Sequence, residues 1–150
     1  MGIGLKFEDS GSLLKWNDRL SDLVKIDNPE IKKVNGNIKI CWHNKVILNG
    51  IMCHPIVEIP DYESIEETFF ESISITTSGL DVETKAKCEE WKKHIIKFFG
   101  LPIETKIDKE ENEEFYLWKI DESYVRLMTY YIHSLRCSLI ISTEPQLSVE

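Results

Sequence analysis

Apolar residues at helical spacing mark the clearest element of the chain, a helix predicted over residues 82–99. One face of this helix carries apolar side chains that recur every three or four positions and are expected to be buried: Cys88, Trp91, Ile95, Phe98 and Phe99. Asp81 is the expected N-cap, and Gly100 followed by Pro102 ends the helix. An exposed charged loop over 108–114 then leads into three predicted strands, at 114–120, 124–133 and 136–143.

The same spacing occurs earlier in the chain, which predicts an internal repeat. Apolar residues at matching intervals predict a first helix over 13–24: Leu13, Trp16, Leu20, Leu23 and Val24. Trp42 follows Trp16 by 26 residues, and Trp118 follows Trp91 by 27. Because tryptophan is a rare residue, this register indicates duplication more strongly than helical periodicity does.

Short alternating segments supply the remaining predicted strands, at 2–8, 37–42, 45–53, 56–59 and 69–77. Asn35-Gly36 predicts a tight turn before the strand at 37–42, since both residues tolerate positive φ. Each copy therefore has the order βαβββ. The predicted fold class is α+β, with mainly antiparallel sheets and one amphipathic helix packed on each. We expect a single domain of two half-repeats, about 1–60 and 69–143, with an acidic linker at 61–68.

Composition indicates a packed, reduced protein. Hydrophobic residues make up 42% of the 150 positions, and no apolar run reaches the length of a membrane span. The four cysteines form no CxxC pair, so we expect buried, reduced thiols rather than a zinc site. The first residues do not resemble a signal peptide, and Lys6 stands where a myristoylation motif has Ser or Thr. We therefore expect a cytoplasmic location without membrane association.

Net charge is concentrated in one stretch. Between Lys45 and Lys85 the chain has eight acidic residues and no Lys or Arg, whereas the other 18 acidic residues balance the 18 basic ones. A surface of this sign repels phosphate backbones, which disfavours nucleic-acid binding and fits a basic protein partner. The candidate acidic patch consists of Glu63, Glu66 and Glu67. The sequence favours the plainer interpretation, a solvated linker that aids solubility.

No motif for catalysis or cofactor binding is present: there is no nucleophile elbow and no glycine-rich phosphate loop. We therefore predict no catalytic residues, no cofactor and no bound metal. His54 and His133 lie eight residues after Val46 and Val125, and a pseudo-twofold axis could bring them together near Cys53 or Glu58. The sequence favours strand-end histidines bonded to nearby carbonyls over that metal site.

Adjacent tyrosines offer a second candidate binding surface. Tyr130 and Tyr131 lie in one predicted strand, so their side chains must point to opposite faces. One of the two rings is therefore a candidate for an exposed contact with a partner.

The βαβββ order resembles the glyoxalase or vicinal-oxygen-chelate family, whose paired modules form a metal cup. The resemblance implies metal ligands on the first and last strands. The first strands here contain no histidine, and only Glu8 and Glu71 could serve. A divergent metal-binding or small-molecule-binding protein is one functional hypothesis.

In size, acidity and lack of catalytic motif the chain resembles small bacterial toxin-immunity proteins. That resemblance implies a non-enzymatic protein that binds and neutralises a basic toxin or effector. A third hypothesis is a structural domain that self-associates through exposed strand edges into a homo-oligomer.

Overall fold

A computed structural model describes residues 4–60, 72–77 and 79–143. It combines helices with mostly antiparallel strands, which confirms the α+β class. The chain divides into two compact units, Met1–Ser74 and Ile75–Glu150. Within the described ranges, no helix is long and apolar enough to cross a membrane.

The first unit begins with a hairpin where a helix was predicted. Strand β1 (Gly4–Lys6) pairs antiparallel with β2 (Leu13–Lys15), and helix α1 spans only Leu20–Leu23. The predicted helix over 13–24 is therefore wrong. Leu14 pairs with Leu5 and both are buried, which fixes this segment as a strand. The backbone N–H of Arg19 donates to the Asp22 carboxylate (3.1 Å), so the helix begins only at Leu20.

Three antiparallel strands form the main sheet of the first unit, and a separate small hairpin lies between the second and the third of them in the chain. Strands β3 (Glu30–Val34) and β4 (Asn37–Cys41) form a hairpin through Asn35 and Gly36, whose φ angles of 50° and 79° fit the predicted tight turn. The predicted strand at 45–53 is instead two strands, β5 (Lys45–Ile47) and β6 (Ile51–Cys53). It breaks because Leu48 and Asn49 have positive φ.

Strand β7 (Ile56–Pro60) pairs with β4 and, through Ile56 and Ser74, with the start of β8 (Ser72–Thr77). The first unit buries its apolar side chains against this sheet and the two small hairpins. The largest of its fully buried residues are Trp42, Phe7, Leu5, Leu14, Leu23, Ile40, Ile47, Ile59 and Ile73.

The second unit is built on helix α2, which spans Asp81–Phe99 and confirms the helix predicted at 82–99. Two details differ. Leu80 is the N-cap, because the Asp81 side chain bonds to other groups. Phe98 and Phe99, expected to be buried, are exposed. Gly100 ends the helix with a φ of 92°, a conformation that glycine adopts easily.

Four antiparallel strands follow α2: β9 (Glu104–Asp108), β10 (Glu113–Ile120), β11 (Ser123–Ile132) and β12 (Ser134–Ser142). They lie in the order β12-β11-β10-β9, with the end of β8 beside β12. The last three confirm the predicted strands. Strand β9 was missed, and the charged loop assigned to 108–114 is shortened to a turn between β9 and β10.

Helix α2 packs mainly on β12 and β11 through Cys88, Trp91 and Ile95, all buried. The thiol of Cys137 on β12 forms a hydrogen bond with that of Cys88. This bond, together with burial, raises the pKa of the Cys137 thiol far above its ordinary value. The described cysteines are all free thiols. Cys53, Cys88 and Cys137 are buried as expected, whereas Cys41 is only partly buried.

The described residues do not form the two predicted βαβββ repeats. The first unit has the β1–β2 hairpin where a helix was expected, and Trp16 lies outside any helix, unlike Trp91 in α2. Trp42 and Trp118 nevertheless act alike. Each indole N–H donates to a carbonyl just beyond the helix of its unit, that of Ile26 (2.7 Å) and that of Gly100 (2.9 Å).

Candidate interaction surface

The start of α2 is tied to the turn between β11 and β12 by one carboxylate. Asp81 accepts a hydrogen bond from the Tyr131 hydroxyl (2.6 Å) and another from the backbone N–H of Leu135 (3.0 Å). The Asp81 side chain therefore holds the last residues of β11 and the first of β12 beside the first turn of the helix.

These contacts keep Asp81 ionised. The hydrogen bond from Tyr131, followed by that from the Leu135 amide, lowers the pKa of the Asp81 carboxyl. The same bond, with smaller contributions from burial and the Asp81 charge, raises the pKa of the Tyr131 hydroxyl. Asp81 is thus a fixed negative charge on the surface, and Tyr131 stays a neutral donor.

Apolar side chains around Asp81 are strongly exposed. Leu80 and Val82, on either side of it in the chain, are 70% and 82% accessible, and Tyr131 is 45% accessible. Glu83 adds a second carboxylate in the first turn of α2. We call this set the helix-start surface: Leu80, Asp81, Val82, Glu83 and Tyr131. Exposed apolar groups beside fixed charge are typical of protein-contact surfaces.

The two candidate tyrosines have separate surroundings. Tyr131 contributes to the helix-start surface. Tyr130 points to the opposite side of β11, where its half-buried hydroxyl lies 2.9 Å from the Ser138 hydroxyl. Ser138 in turn contacts the Thr76 hydroxyl (3.1 Å). Tyr131 is therefore the one of the pair that is available to a partner.

The acidic candidates Glu63, Glu66 and Glu67 lie outside the described residues. The same is true of Glu71, one of the two carboxylates that the glyoxalase resemblance offered as a ligand. The other, Glu8, accepts a hydrogen bond from the backbone N–H of Asn49 (2.6 Å), a contact that holds the turn between β5 and β6.

His54 does not belong to a cluster of metal ligands. Its Nδ1 accepts the backbone N–H of Asn44 (3.0 Å), and its ring lies 5.4 Å from that of His43. The Nε2 atom of His43 is 2.9 Å from a carboxylate oxygen of Glu30. His133 has a positive φ of 63° in the turn between β11 and β12. Among the described residues no group of three His, Cys, Asp or Glu side chains could hold a metal ion.

The best-organised polar cluster lies in the first unit, around Lys45. Its ammonium is 2.8 Å from Asp27 and 3.3 Å from Asp9, and it sits over the Phe7 ring. Asp27 also accepts hydrogen bonds from the hydroxyls of Ser10 and Ser12. The contacts of this cluster link hairpins and loops of the first unit to one another. The role of the cluster is therefore structural.

Sequence reasoning identified Tyr131 but missed the apolar residues beside it. Leu80 precedes α2 as its N-cap, and Val82 is not in register with the buried Cys88, Trp91 and Ile95. Apolar residues out of register with the core stripe of a helix are the signal that could have found them.

No protein-family model, no curated protein and no solved structure matches the chain.

Proposed function

We propose that the chain is a non-enzymatic protein-interaction module that binds and neutralises a basic toxin or effector, in the manner of bacterial immunity proteins. The observation that carries the proposal is the helix-start surface, where exposed Leu80, Val82 and Tyr131 surround the ionised Asp81. A cytoplasmic location remains part of the proposal.

The chemistry of this surface suits a partner that combines basic and apolar groups. Tyrosine and aliphatic side chains supply desolvated contact area, and aromatic residues are frequent hot spots in interfaces. Asp81 and Glu83 belong to the stretch between Lys45 and Lys85 that lacks Lys and Arg. A basic side chain of the partner would therefore meet two carboxylates there.

The test begins with capture. A double variant, Leu80→Ser with Val82→Ser, removes the apolar contacts and keeps both carboxylates. A control variant, Ile31→Ser with Val34→Ser, removes two exposed apolar side chains from β3. We expect wild type and control to capture the same basic protein from the native host, and the double variant to lose it.

Binding of the purified partner decides the matter. The double variant should bind at least about tenfold more weakly, mainly through faster dissociation. Equal affinity of the double variant and wild type, or an acidic partner, would show the proposal to be wrong. Stoichiometric zinc or nickel that disappears in His54→Ala or His133→Ala would instead revive the metal-binding hypothesis.

The acidic stretch leads to a separate expectation about rate. Reversal of Glu63, Glu66 and Glu67 to Lys should slow association several-fold at low salt and much less at high salt, because long-range attraction acts on encounter and is screened by ions. An unchanged association rate at low salt would reduce these three residues to a solubilising segment.

We also propose the duplication in a revised form, as a helix followed by antiparallel strands in each unit. Its support is the shared role of Trp42 and Trp118, whose indoles donate to a carbonyl beyond the helix. Among the described residues, the long helix lies in the second unit and brings the helix-start surface with it.

A further inference from the structure

Strand β9 has one open edge. It pairs with β10 from Glu104 opposite Leu117 to Asp108 opposite Glu113, and it is the last strand of the order β12-β11-β10-β9. In the described part of the chain no strand pairs with its other edge. Such an edge offers unpaired N–H and C=O groups to another strand unless the side chains prevent it.

Side chains along β9 alternate cleanly between two faces. Lys106 and Glu104 share one face, where their ammonium and carboxylate are 3.2 Å apart and Lys106 lies over the Phe115 ring. Thr105 and Ile107 lie on the other. Ile103, just before the strand, and Ile107 are both exposed. From Ile103 to Ile107 the order is apolar, acidic, hydroxyl, basic, apolar.

This order is complementary to itself when read in the opposite direction. In an antiparallel pair of two copies centred on Thr105, Glu104 of each copy faces Lys106 of the other. Thr105 faces Thr105, and Ile103 of each faces Ile107 of the other. Opposite charges and apolar side chains that face each other across strands stabilise the pairing.

We propose that two copies of this chain associate through β9 in that register, as a twofold-symmetric dimer with a sheet continuous across the contact. A contact between identical surfaces closes on itself, so association stops at the dimer. The contact uses none of the helix-start surface and does not depend on the proposed function.

The edge strand of the first unit lacks this property. Strand β3 is also exposed and pairs on one side with β4. It carries Lys32 and Lys33 on opposite faces. An antiparallel pair centred on Lys32 would place the lysines opposite each other and Ile31 opposite Lys33. Lysines on an edge strand oppose such pairing, and β3 therefore serves as the internal comparison.

Charge reversal tests the register. Lys106→Glu and Glu104→Lys each turn two attractive cross-strand pairs into two repulsive ones, which should weaken dimerisation by at least about tenfold. In an equimolar mixture of the two variants every pair is attractive again. The matched control is Lys32→Glu. Lys32 also lies on an exposed edge strand, and its ammonium is 3.2 Å from the carboxylate of Glu30, two residues earlier.

Sedimentation velocity of the full chain over a range of concentrations measures the result. We expect wild type and Lys32→Glu to dimerise, the two β9 variants to be monomers, and their mixture to form heterodimers. A wild type that stays monomeric up to about 1 mM, a concentration at which even very weak association is visible, would overturn the proposal. A mixture that remains monomeric, or a dimeric Lys106→Glu, would overturn it as well.

Cross-linking gives a second measurement, independent of the charges. Thr105 lies on the proposed axis, so Thr105→Cys should form an intermolecular disulfide with a mild disulfide oxidant such as oxidised glutathione, which accepts the two electrons that the thiols lose. Glu104→Cys, one position off the axis, should cross-link far less because its neighbour is Lys106. Equal cross-linking at the two positions would contradict the register.

Discussion

Asp27 contacts three side chains of the first unit, so its removal should destabilise that unit. Its carboxylate accepts hydrogen bonds from the hydroxyls of Ser10 and Ser12 and from the Lys45 ammonium, 2.8 Å away. The side chains of Asp27 and Lys45 are only 15% and 12% accessible. We predict that Asp27→Asn destabilises the protein, because asparagine has no negative charge to balance Lys45.

The magnitude follows from the pKa of Asp27. Burial alone would raise this pKa, but the hydrogen bonds from Lys45, Ser10 and Ser12 and the Lys45 charge outweigh it and lower the pKa from 3.8 to about 2. Because the folded pKa is depressed, the stabilisation is present above pH 3.8 and is lost as pH falls through 2. The shift corresponds to about 2 kcal/mol at neutral pH.

Urea unfolding followed by circular dichroism, at several values between pH 7 and pH 2, provides the assay. Asn tolerates the positive φ of 50° at this position, so the substitution leaves the backbone unstrained. Asp9→Asn is the matched control, since Asp9 also contacts Lys45 but is more exposed and should matter less. The reasoning is refuted if Asp27→Asn is as stable as wild type at pH 7, or if the stability difference persists unchanged at pH 2.

Two further substitutions test the backbone contacts of each unit. A Cβ at Gly4 would lie 1.8 Å from the Leu14 carbonyl oxygen, so Gly4→Ala should separate β1 from β2 and cost about 2 kcal/mol or more; an unchanged melting temperature would contradict this. Trp118→Phe removes the donor to the Gly100 carbonyl and should cost about 1–3 kcal/mol in urea unfolding, and a variant as stable as wild type would show that the bond contributes nothing.

Hydrophobic periodicity located α2 because this helix buries one regular face. The three long strands are instead buried on both faces over their central residues, so continuous apolar stretches marked them. Periodicity failed for residues 13–24. Leu14 is buried in β2, and Trp16 is buried just after that strand. Two buried residues two positions apart cannot by themselves distinguish a strand from half a turn of helix. Tertiary pairing with β1 decided the outcome, and such pairing leaves no local signal.

The edge strands β3 and β9 escaped prediction for a different reason. All five residues of β3 are exposed, and β9 is nearly so, which means that neither strand needs an alternating apolar pattern. Each forms because a turn returns it to a neighbouring strand, at Asn35-Gly36 in the first case. The turn was read correctly from the sequence, whereas the strand before it was not.

The candidate surface was predictable in part. Alternation placed Tyr130 and Tyr131 on opposite faces, as the separate partners Ser138 and Asp81 illustrate. The role of Asp81 was missed because an aspartate just before a helix resembles an N-cap. Its actual partners, Tyr131 and Leu135, are about fifty residues further along the chain, a distance over which sequence patterns carry no information.

The pair of buried thiols between α2 and the sheet can report how often the second unit opens. Alkylating reagents attack thiolates that they can reach, and the sulfur of Cys137 is fully buried with its pKa held far above the ordinary range. Cys41 on β4 is half-exposed and should be modified first. Cys88 and Cys137 should then be modified slowly, only when α2 separates from β12. The rate of that modification would measure how often the unit opens.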